Sequence, residues 1–153
     1  MSLQWRRRTV DKAYEAVVAG VVGDDEGLID KALLRVDAVK RSGDPSRVEV
    51  VEDHVPGAKL SLSSYKVLAR SDTATVLDLT PHTGRLHQLR AHCKALGHPI
   101  VGDWLYGTGD ANRLCLHASR LAFDDPALQG ERVCVASAAS WELSEPPELV
   151  YVS

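Results

Sequence analysis

The sequence is poor in the residues that mark several classes of protein. It contains one Phe, one Met and three cysteines in 153 residues, although 44% of the residues are hydrophobic. Cys93, Cys115 and Cys134 lie far apart and form no Cys-x-x-Cys pair. That spacing predicts structural thiols in a reducing compartment rather than a disulfide framework. The length fits one domain, and its core is expected to be aliphatic.

Long apolar runs are also missing. No stretch approaches the roughly 20 apolar residues that span a bilayer. The basic cluster Arg6-Arg7-Arg8 is followed by no apolar segment, so the sequence does not indicate a signal peptide. We therefore expect no membrane partner and a cytoplasmic location, or an organelle interior for a eukaryotic source. Residues 1–9 are interpreted as an N-terminal basic segment or a remnant of vector sequence.

The chain lacks the overall basic excess of nonspecific nucleic-acid binders, because its formal net charge is −3 and its pI is about 6.0. One stretch differs from this average. Between Pro81 and Pro99 there is no Asp or Glu. This stretch holds three cations, Arg85, Arg90 and Lys94, and four of the six histidines, His82, His87, His92 and His98. Such a concentration predicts a localised anion site.

Period-two alternation predicts most of the regular structure. Residues 12–20 are expected to form a strand, and residues 60–69 and 73–80 a hairpin. Further strands are predicted near 113–123 and 131–138, and a short one at 48–51 within a polar loop over 37–56. The apolar run 28–36 fits either a strand or a helix. This order of elements predicts an α+β fold with a mostly antiparallel sheet and few helices.

The clearest helix is predicted over residues 85–96, with Gly97 as its stop. At about 100° per residue, four apolar positions fall within an arc of roughly 80°. They are Leu86, Leu89, Cys93 and Leu96. His87, Arg90 and Lys94 cluster on another face. The helix is therefore expected to pack one stripe and to present a basic one.

The histidines suggest a metal site, but their spacing disfavours it. His87 and His92 lie roughly 140° apart on a helical wheel, whereas two ligands on one helix need a spacing of three or four. Hydrogen-bonded or phosphate-facing histidines are the better interpretation, and no metal is predicted.

Two further features have open interpretations. A turn at His82-Thr83-Gly84 followed by Arg85 fits either an anion site at a helix start or an ordinary strand-to-helix turn. Tyr14 on a strand is usually a core residue. The sequence has no P-loop, dinucleotide fingerprint or Gly-x-Ser-x-Gly nucleophile motif, so residue chemistry alone names no reaction.

Several motifs together carry more information. Residues 84–92 read Gly-Arg-Leu-His-Gln-Leu-Arg-Ala-His, and residues 96–103 read Leu-Gly-His-Pro-Ile-Val-Gly-Asp, followed by Tyr106-Gly107. Residues 12–16 fit Lys-x-Tyr-x-Ala, residues 63–68 end in Tyr-Lys-Val-Leu, and Leu-His-Ala occurs at 116–118. This set resembles the RluA-type pseudouridine synthase family over roughly residues 10–147.

The resemblance implies a function in RNA modification, the isomerisation of uridine to pseudouridine in rRNA or tRNA without a cofactor or metal. In the family a uridine flips out of the RNA, an aspartate attacks, and the base reattaches through carbon. The resemblance gives Tyr14 the role of stacking on the base and Arg90 that of pairing with the catalytic carboxylate. RNA contacts are expected from five residues, Lys12, His82, Arg85, His87 and Lys94.

The sequence departs from the family pattern at some positions. Leu86 replaces the usual Thr and Asp125 the usual His. No segment resembles the His-Arg-Leu-Asp motif that carries the catalytic aspartate upstream of the Lys-x-Tyr strand.

We therefore expect residues 10–147 to be the C-terminal part of a catalytic domain, inactive alone, and residues 148–153 a tail. Exposed apolar surface should favour self-association or a partner carrying the missing N-terminal half. The alternative is a non-catalytic RNA-binding or assembly module derived from the same fold.

Overall fold

The structure, a computed structural model, describes residues 10–36, 46–109, 111–125, 127, 130–141 and 150–152. These residues form nine strands and one α-helix. The strands are β1 (Asp11–Ala19), β2 (Glu26–Asp30), β3 (Ala32–Val36), β4 (Arg47–Val51), β5 (Leu62–Arg70), β6 (Ala74–Pro81), β7 (Leu116–Asp125), β8 (Glu131–Ala136) and β9 (Val150–Tyr151). The helix is α1 (Gln88–Ala95). The predicted α+β class is confirmed.

Seven strands form one sheet in the order β2-β5-β6-β1-β7-β8, with β9 also paired to β5. Every pairing between these strands is antiparallel. The predicted hairpin corresponds to β5 and β6, and the predicted first strand is β1. Because β1 lies between β6 and β7, its residues face elements that are distant in sequence. Its pairing with β7 shifts register between Ala13 and Tyr14.

The segment that fitted either a strand or a helix contributes to β2 and β3. In β2 only Ile29 is buried while its neighbours Leu28 and Asp30 are exposed, which is the alternation of a half-buried strand. β3 pairs with β4 as a separate two-stranded sheet. The short strand predicted at 48–51 is therefore confirmed within β4, whereas residues 37–45 of the predicted loop lie outside the described residues.

Helix α1 packs between the main sheet and the β3–β4 hairpin. Leu89 and Cys93 belong to the main apolar cluster, together with inward residues of β1, β5 and β6. On another side of the helix, Ala91 packs with Leu33, Val48 and Tyr106. Burial raises the pKa of the Cys93 thiol to about 12, so this thiol stays protonated and serves packing.

The helix begins three residues later than the sequence predicted. It starts at Gln88, and the preceding His87 has a left-handed backbone with φ of 49°, which few non-glycine residues adopt. Leu86 therefore precedes the helix, and 41% of its surface is exposed, so its assignment to the packing stripe is wrong. The predicted stop is confirmed, because Gly97 has φ of +92° directly after the last turn.

The chain's last described residues differ from the expected tail. Val150 and Tyr151 pair with Arg70 and Ala69 of β5, so they extend the sheet rather than leave it. Residues 1–9, the expected basic segment, lie outside the described part of the chain. Among the described residues, no helix has the length and apolarity to cross a membrane.

Candidate functional site

A cleft of about 330 Å³ opens where the start of β1 meets the segment that leads into α1. Tyr14 enters it from β1 and Arg90 from α1, although the two are distant in sequence. The other lining residues are Lys12, Pro81, Thr83, Gly84, Arg85, His87, Gln88, Leu89 and Leu116. Tyr14 is half-buried and packs in part against the main core. The cleft thus combines an aromatic ring, two aliphatic side chains and several cations.

Arg90 is held by an ion pair inside the chain. Its Nε donates to Oδ2 of Asp103 at 2.8 Å, and its Nη2 donates to Oδ1 at 2.7 Å. The Asp103 side chain is fully buried and that of Arg90 is 14% exposed. This bidentate geometry fixes the guanidinium plane at the cleft wall.

Asp103 is stabilised as a carboxylate. Burial by itself would raise its pKa, but hydrogen bonds from Arg90 and from the backbone N–H groups of Tyr106 and Leu105 outweigh burial and hold the pKa below its usual range. The hydrogen bond to Asp103 in turn raises the pKa of Arg90. Gly102 makes this turn possible, because its φ is +75° and a Cβ there would collide with the carbonyl oxygen of Arg113.

Tyr106 connects the ion pair to the β3–β4 hairpin. The Arg90 guanidinium carbon lies 5.1 Å from the centre of the Tyr106 ring, and the Tyr106 hydroxyl accepts a hydrogen bond from the Val48 N–H. His87 Nδ1 lies 3.1 Å from the same hydroxyl. Burial and the neighbouring Arg90 charge lower the pKa of His87, so its imidazole is neutral at pH 7.

Gln88 fixes the turn that forms the cleft rim. Its Oε1 accepts hydrogen bonds from the Thr83 hydroxyl and the Arg85 N–H. Its Nε2 donates to the Leu62 carbonyl oxygen and to Ser63 Oγ. These contacts to β5 explain why the helix begins at Gln88 instead of Arg85, since residues 83–85 are held in a turn.

His92 is a core histidine. It is fully buried, with Nε2 3.2 Å from the Lys31 carbonyl oxygen and Nδ1 2.9 Å from Ser63 Oγ. Because a carbonyl only accepts, Nε2 carries the proton and Nδ1 accepts from the Ser63 hydroxyl. Burial lowers the pKa of His92, which favours this neutral form.

A second cleft of about 570 Å³ adjoins the first. It shares Lys12, Pro81, Thr83, Gly84 and Arg85 with the first cleft. It adds Val10, Asp11, Thr80, His82, Arg120 and Ala122. The two clefts therefore meet along the rim formed by residues 83–85.

The residues expected to contact RNA fall at different places. Lys12 and Arg85 line both clefts, His82 lines the second, and His87 lines the first. Lys94 instead lines a separate groove beside Arg47 and Glu49 of β4, away from both clefts.

The prediction of a basic stripe on the helix, formed by His87, Arg90 and Lys94, is wrong. Arg90 is ion-paired with Asp103, and the pKa of His87 is lowered. Of the three residues assigned to that stripe, Lys94 remains as an exposed cation. Arg85 lies in the turn before the helix, and both interpretations of that turn, an anion site or an ordinary strand-to-helix turn, stay predictions.

Sequence reasoning missed the residues that hold the cleft together. The motifs include Asp103, Tyr106 and Gln88, but the sequence assigns none of them a role. Arg120 was not noticed on β7. The spacing of Asp103 and Tyr106, an acidic residue three before an aromatic one, fits an Asp-centred turn and was the available signal. Among the described residues, no group of three or more His, Cys, Asp or Glu side chains forms a metal site.

Comparison with known proteins identifies the relatives of this arrangement. Residues 1–95 match the profile of the family described as RNA pseudouridylate synthase. A dual-specificity RNA pseudouridine synthase RluA of Pasteurella multocida is 42% identical over 131 residues, covering 82% of this chain and 56% of that protein. A tRNA pseudouridine synthase C from the same organism is 35% identical over 157 residues, covering 92% of this chain and 64% of that protein.

Solved structures agree with the sequence matches. Human RNA pseudouridylate synthase domain containing 1 superposes with a TM-score of 0.76 at 31% identity, covering 90% of this chain and 58% of that one. Human RNA pseudouridylate synthase domain containing 4 gives a TM-score of 0.68 at 25% identity, covering 91% of this chain and 61% of that one. This chain spans roughly half to two thirds of the length of these relatives. On this evidence the chain belongs to the RNA pseudouridylate synthase family.

Proposed function

We propose that this chain supplies the uridine-binding part of an RNA pseudouridine synthase, which isomerises uridine to pseudouridine in RNA. The observation that carries the proposal is the convergence of Tyr14 and Arg90 on one cleft from two distant elements. The family resemblance gives Tyr14 the role of stacking on the base and Arg90 the role of pairing with a carboxylate. A cleft that holds both can present the uracil ring and the reacting sugar carbon to the same nucleophile.

Binding of an extruded uridine follows from the composition of the cleft. Flipping a nucleotide costs a few kcal/mol, and stacking on an aromatic ring returns about 1–3 kcal/mol per base. Tyr14 provides that ring, with Leu89 and Leu116 as aliphatic neighbours. Lys12 and Arg85 at the rim are positioned to contact the flanking phosphates, which would offset the remaining cost.

Arg90 is suited to hold a catalytic carboxylate in its ionised form. Its guanidinium is already oriented by Asp103 through Nε and Nη2. An aspartate entering the cleft beside this cation would have its pKa lowered, which preserves the nucleophilic carboxylate. Asp103 orients the guanidinium and is a positioning residue, because both of its oxygens already accept hydrogen bonds and it is fully buried.

The described residues offer no second carboxylate for nucleophilic attack in the first cleft. Asp11 lies in the adjoining cleft and is ion-paired with Arg132. We therefore infer that the nucleophile comes from a His-Arg-Leu-Asp segment that these 153 residues do not contain, and that this chain alone is inactive. The name of one relative, tRNA pseudouridine synthase C, supports tRNA as a substrate. From the family resemblance we also propose rRNA as an alternative substrate and a cytoplasmic location.

Tritium release from RNA labelled at uridine C5 tests the proposal, because isomerisation replaces that C–H bond. The chain alone should release no tritium above background. A chimaera carrying the upstream segment of the Pasteurella multocida RluA protein before Val10 should release it. Tyr14→Ala and Arg90→Ala in the chimaera should abolish release, while Lys66→Ala, exposed on β5, should leave it unchanged. Release by the chain alone would contradict the inference about the nucleophile.

A non-catalytic RNA-binding module is the second candidate. It is favoured by the cationic rim, which needs no nucleophile to hold RNA. Under this alternative the chain binds RNA, but the chimaera releases no tritium although a correctly folded RluA control does. The missing half of the catalytic domain, or a second copy of this chain, remains the expected partner; analytical ultracentrifugation across a concentration series tests self-association.

A further inference from the structure

We propose that the second cleft binds the RNA strand next to the extruded uridine, so that the backbone crosses Gly84 and a flanking phosphate contacts Arg120 and Arg85. This inference rests on the proposed function and extends it to the path of the substrate. It adds Arg120, on β7, to the residues that recognise RNA. The ligand class is a single-stranded phosphodiester backbone with its attached base.

The two clefts are continuous. They share the rim formed by Thr83, Gly84 and Arg85, with Lys12 on the facing strand. A nucleotide in the first cleft has its chain continuing over this rim. The second cleft, at about 570 Å³, is the larger of the two and has room for a neighbouring nucleotide.

Cations outnumber carboxylates among the residues that line the second cleft. Lys12, Arg85 and Arg120 place three cations around the second cleft. Its one carboxylate, Asp11, is ion-paired with Arg132 of β8, and Arg132 also pairs with Asp124. The side chains on the cleft wall therefore leave a positive balance, which favours a phosphate. Arg85 donates from Nε to the Leu60 carbonyl oxygen, which anchors its side chain at the rim.

Neither backbone conformation nor a close protein contact requires glycine at position 84. Its φ is not in the positive range, and a Cβ built there would meet no protein atom within 4 Å. The surrounding turn is meanwhile held firmly by Gln88. Because Gly84 lines both clefts, a side chain at this position would take up space where they meet, and glycine leaves that space open to a ligand backbone.

Gly23 provides a matched control for Gly84. It is exposed, has no positive φ, and would also place a Cβ in open space, but it lines neither cleft. Lys66 provides the control for Arg120, since it is an exposed cation on β5 that pairs in register with Glu26 and Asp78. Acidic neighbours make that site unfavourable for RNA.

The test is fluorescence anisotropy with a labelled single-stranded RNA that contains one uridine, measured over a salt series with the full chain. Arg120→Ala should raise Kd roughly five- to tenfold and reduce the slope of log Kd against log salt by about 0.7, the value for one lost phosphate contact on a single strand. Arg120→Lys should restore most of the affinity. Lys66→Ala should change Kd less than about twofold.

Gly84→Val should raise Kd by at least tenfold at every salt concentration, because it excludes the backbone without removing a charge, whereas Gly23→Val should not. Gly84→Ala is the milder second variant, and thermal denaturation of each variant checks folding. The inference is overturned if Arg120→Ala has the same Kd for RNA as Lys66→Ala, or if Gly84→Val has the same Kd as Gly23→Val. It is also overturned if the wild-type chain does not bind the RNA.

The tritium assay separates this inference from the proposed function. If Arg120→Ala loses RNA affinity and the chimaera releases no tritium, RNA binding in the second cleft is supported and the proposed isomerase activity is contradicted. If the chimaera releases tritium only when Tyr14 is present, and Arg120→Ala leaves the Kd for RNA unchanged, the isomerase activity is supported and RNA binding in the second cleft is contradicted.

Discussion

The polar residues buried behind the cleft and those exposed at its front edge differ in how many of their hydrogen bonds the protein itself provides. Behind it, Asp103, Gln88 and His92 are buried, and each bonds to two or more protein groups. In front of it, His82 and Arg120 are exposed at the cleft edge. All but one of these residues come from a short stretch of sequence. Residues 82–103 thus supply the scaffold of the site and part of its contact surface, and β7 adds Arg120.

Because of this difference, substitutions at neighbouring positions should affect different properties of the protein, either its stability or its ligand binding. A change behind the cleft leaves a buried polar group without its partner, so it costs folding free energy. A change at the rim exposes nothing new and should alter only the ligand contact. The following predictions test whether the two groups separate in this way, from the largest expected effect to the smallest.

Asp103→Ala should produce the largest loss of stability. It leaves the Arg90 guanidinium and two backbone N–H groups without their acceptor, and removing one partner of a buried ion pair costs about 3–5 kcal/mol. Urea denaturation measures the change. Asp25→Ala is the control, since Asp25 pairs with Arg70 at the surface and should cost less than about 1 kcal/mol. Equal losses would show that the network does not stabilise the fold.

Leu89→Ala and Leu86→Ala should differ in their loss of stability, although both residues belong to the predicted apolar stripe. Leu89 is 7% exposed and packs in the main core, so its truncation should cost about 2–5 kcal/mol. Leu86 is 41% exposed before the helix and should change stability by less than about 0.5 kcal/mol. Comparable thermal midpoints for the two variants would mean that the helix begins where the sequence, rather than the structure, places it.

His92 should make the folded chain less stable in mild acid. Its folded pKa is lowered by burial, so the unfolded chain binds more protons as pH falls below the ordinary histidine value of about 6.5. The stability present above that pH is therefore progressively lost down to the folded pKa. His92→Gln, which keeps hydrogen-bonding groups without titrating, should flatten the profile of thermal midpoint between pH 7.5 and pH 5.5. An unchanged slope would show that His92 does not contribute.

Arg85→Ala should have the smallest effect on stability, within about 0.5 kcal/mol, because its side-chain contact with the Leu60 carbonyl is exposed. Its RNA affinity should nevertheless fall, and with it the salt dependence of binding. Thermal denaturation and anisotropy on the same preparation measure both properties. A rim variant that unfolds the chain, yet binds RNA normally when folded, would reverse the proposed division.

The sequence predicted the sheet better than the site. Alternation located β5, whose residues are buried on one face and less buried on the other. The strands β1 and β6 were also located, although residues 16–18 and 74–77 are buried on both faces. The start of α1 was missed because the Gln88 side chain is bonded to Leu62 and Ser63, a long-range contact without a local signal. The β2–β3 segment stayed ambiguous because a short apolar run has no decisive period.

The roles of the site residues had different origins. Tyr14 and Arg90 were singled out by family resemblance, since residue chemistry alone favoured a core tyrosine. The partner of Arg90 was not predicted, because the ion pair with Asp103 depends on tertiary packing of the 102–106 turn against α1. The adjoining cleft was missed because Arg120 reaches it from β7, far along the chain.

Photocrosslinking tests the central claim, that this cleft receives a uridine, most directly. The chain would be irradiated with a cytidine-rich RNA carrying a single 4-thiouridine, and the crosslinked residue identified by mass spectrometry. We predict crosslinks at Tyr14 or its cleft neighbours Leu89 and Leu116, and their loss with Gly84→Val. Crosslinks confined to the separate groove at Lys94 and Arg47 would contradict it.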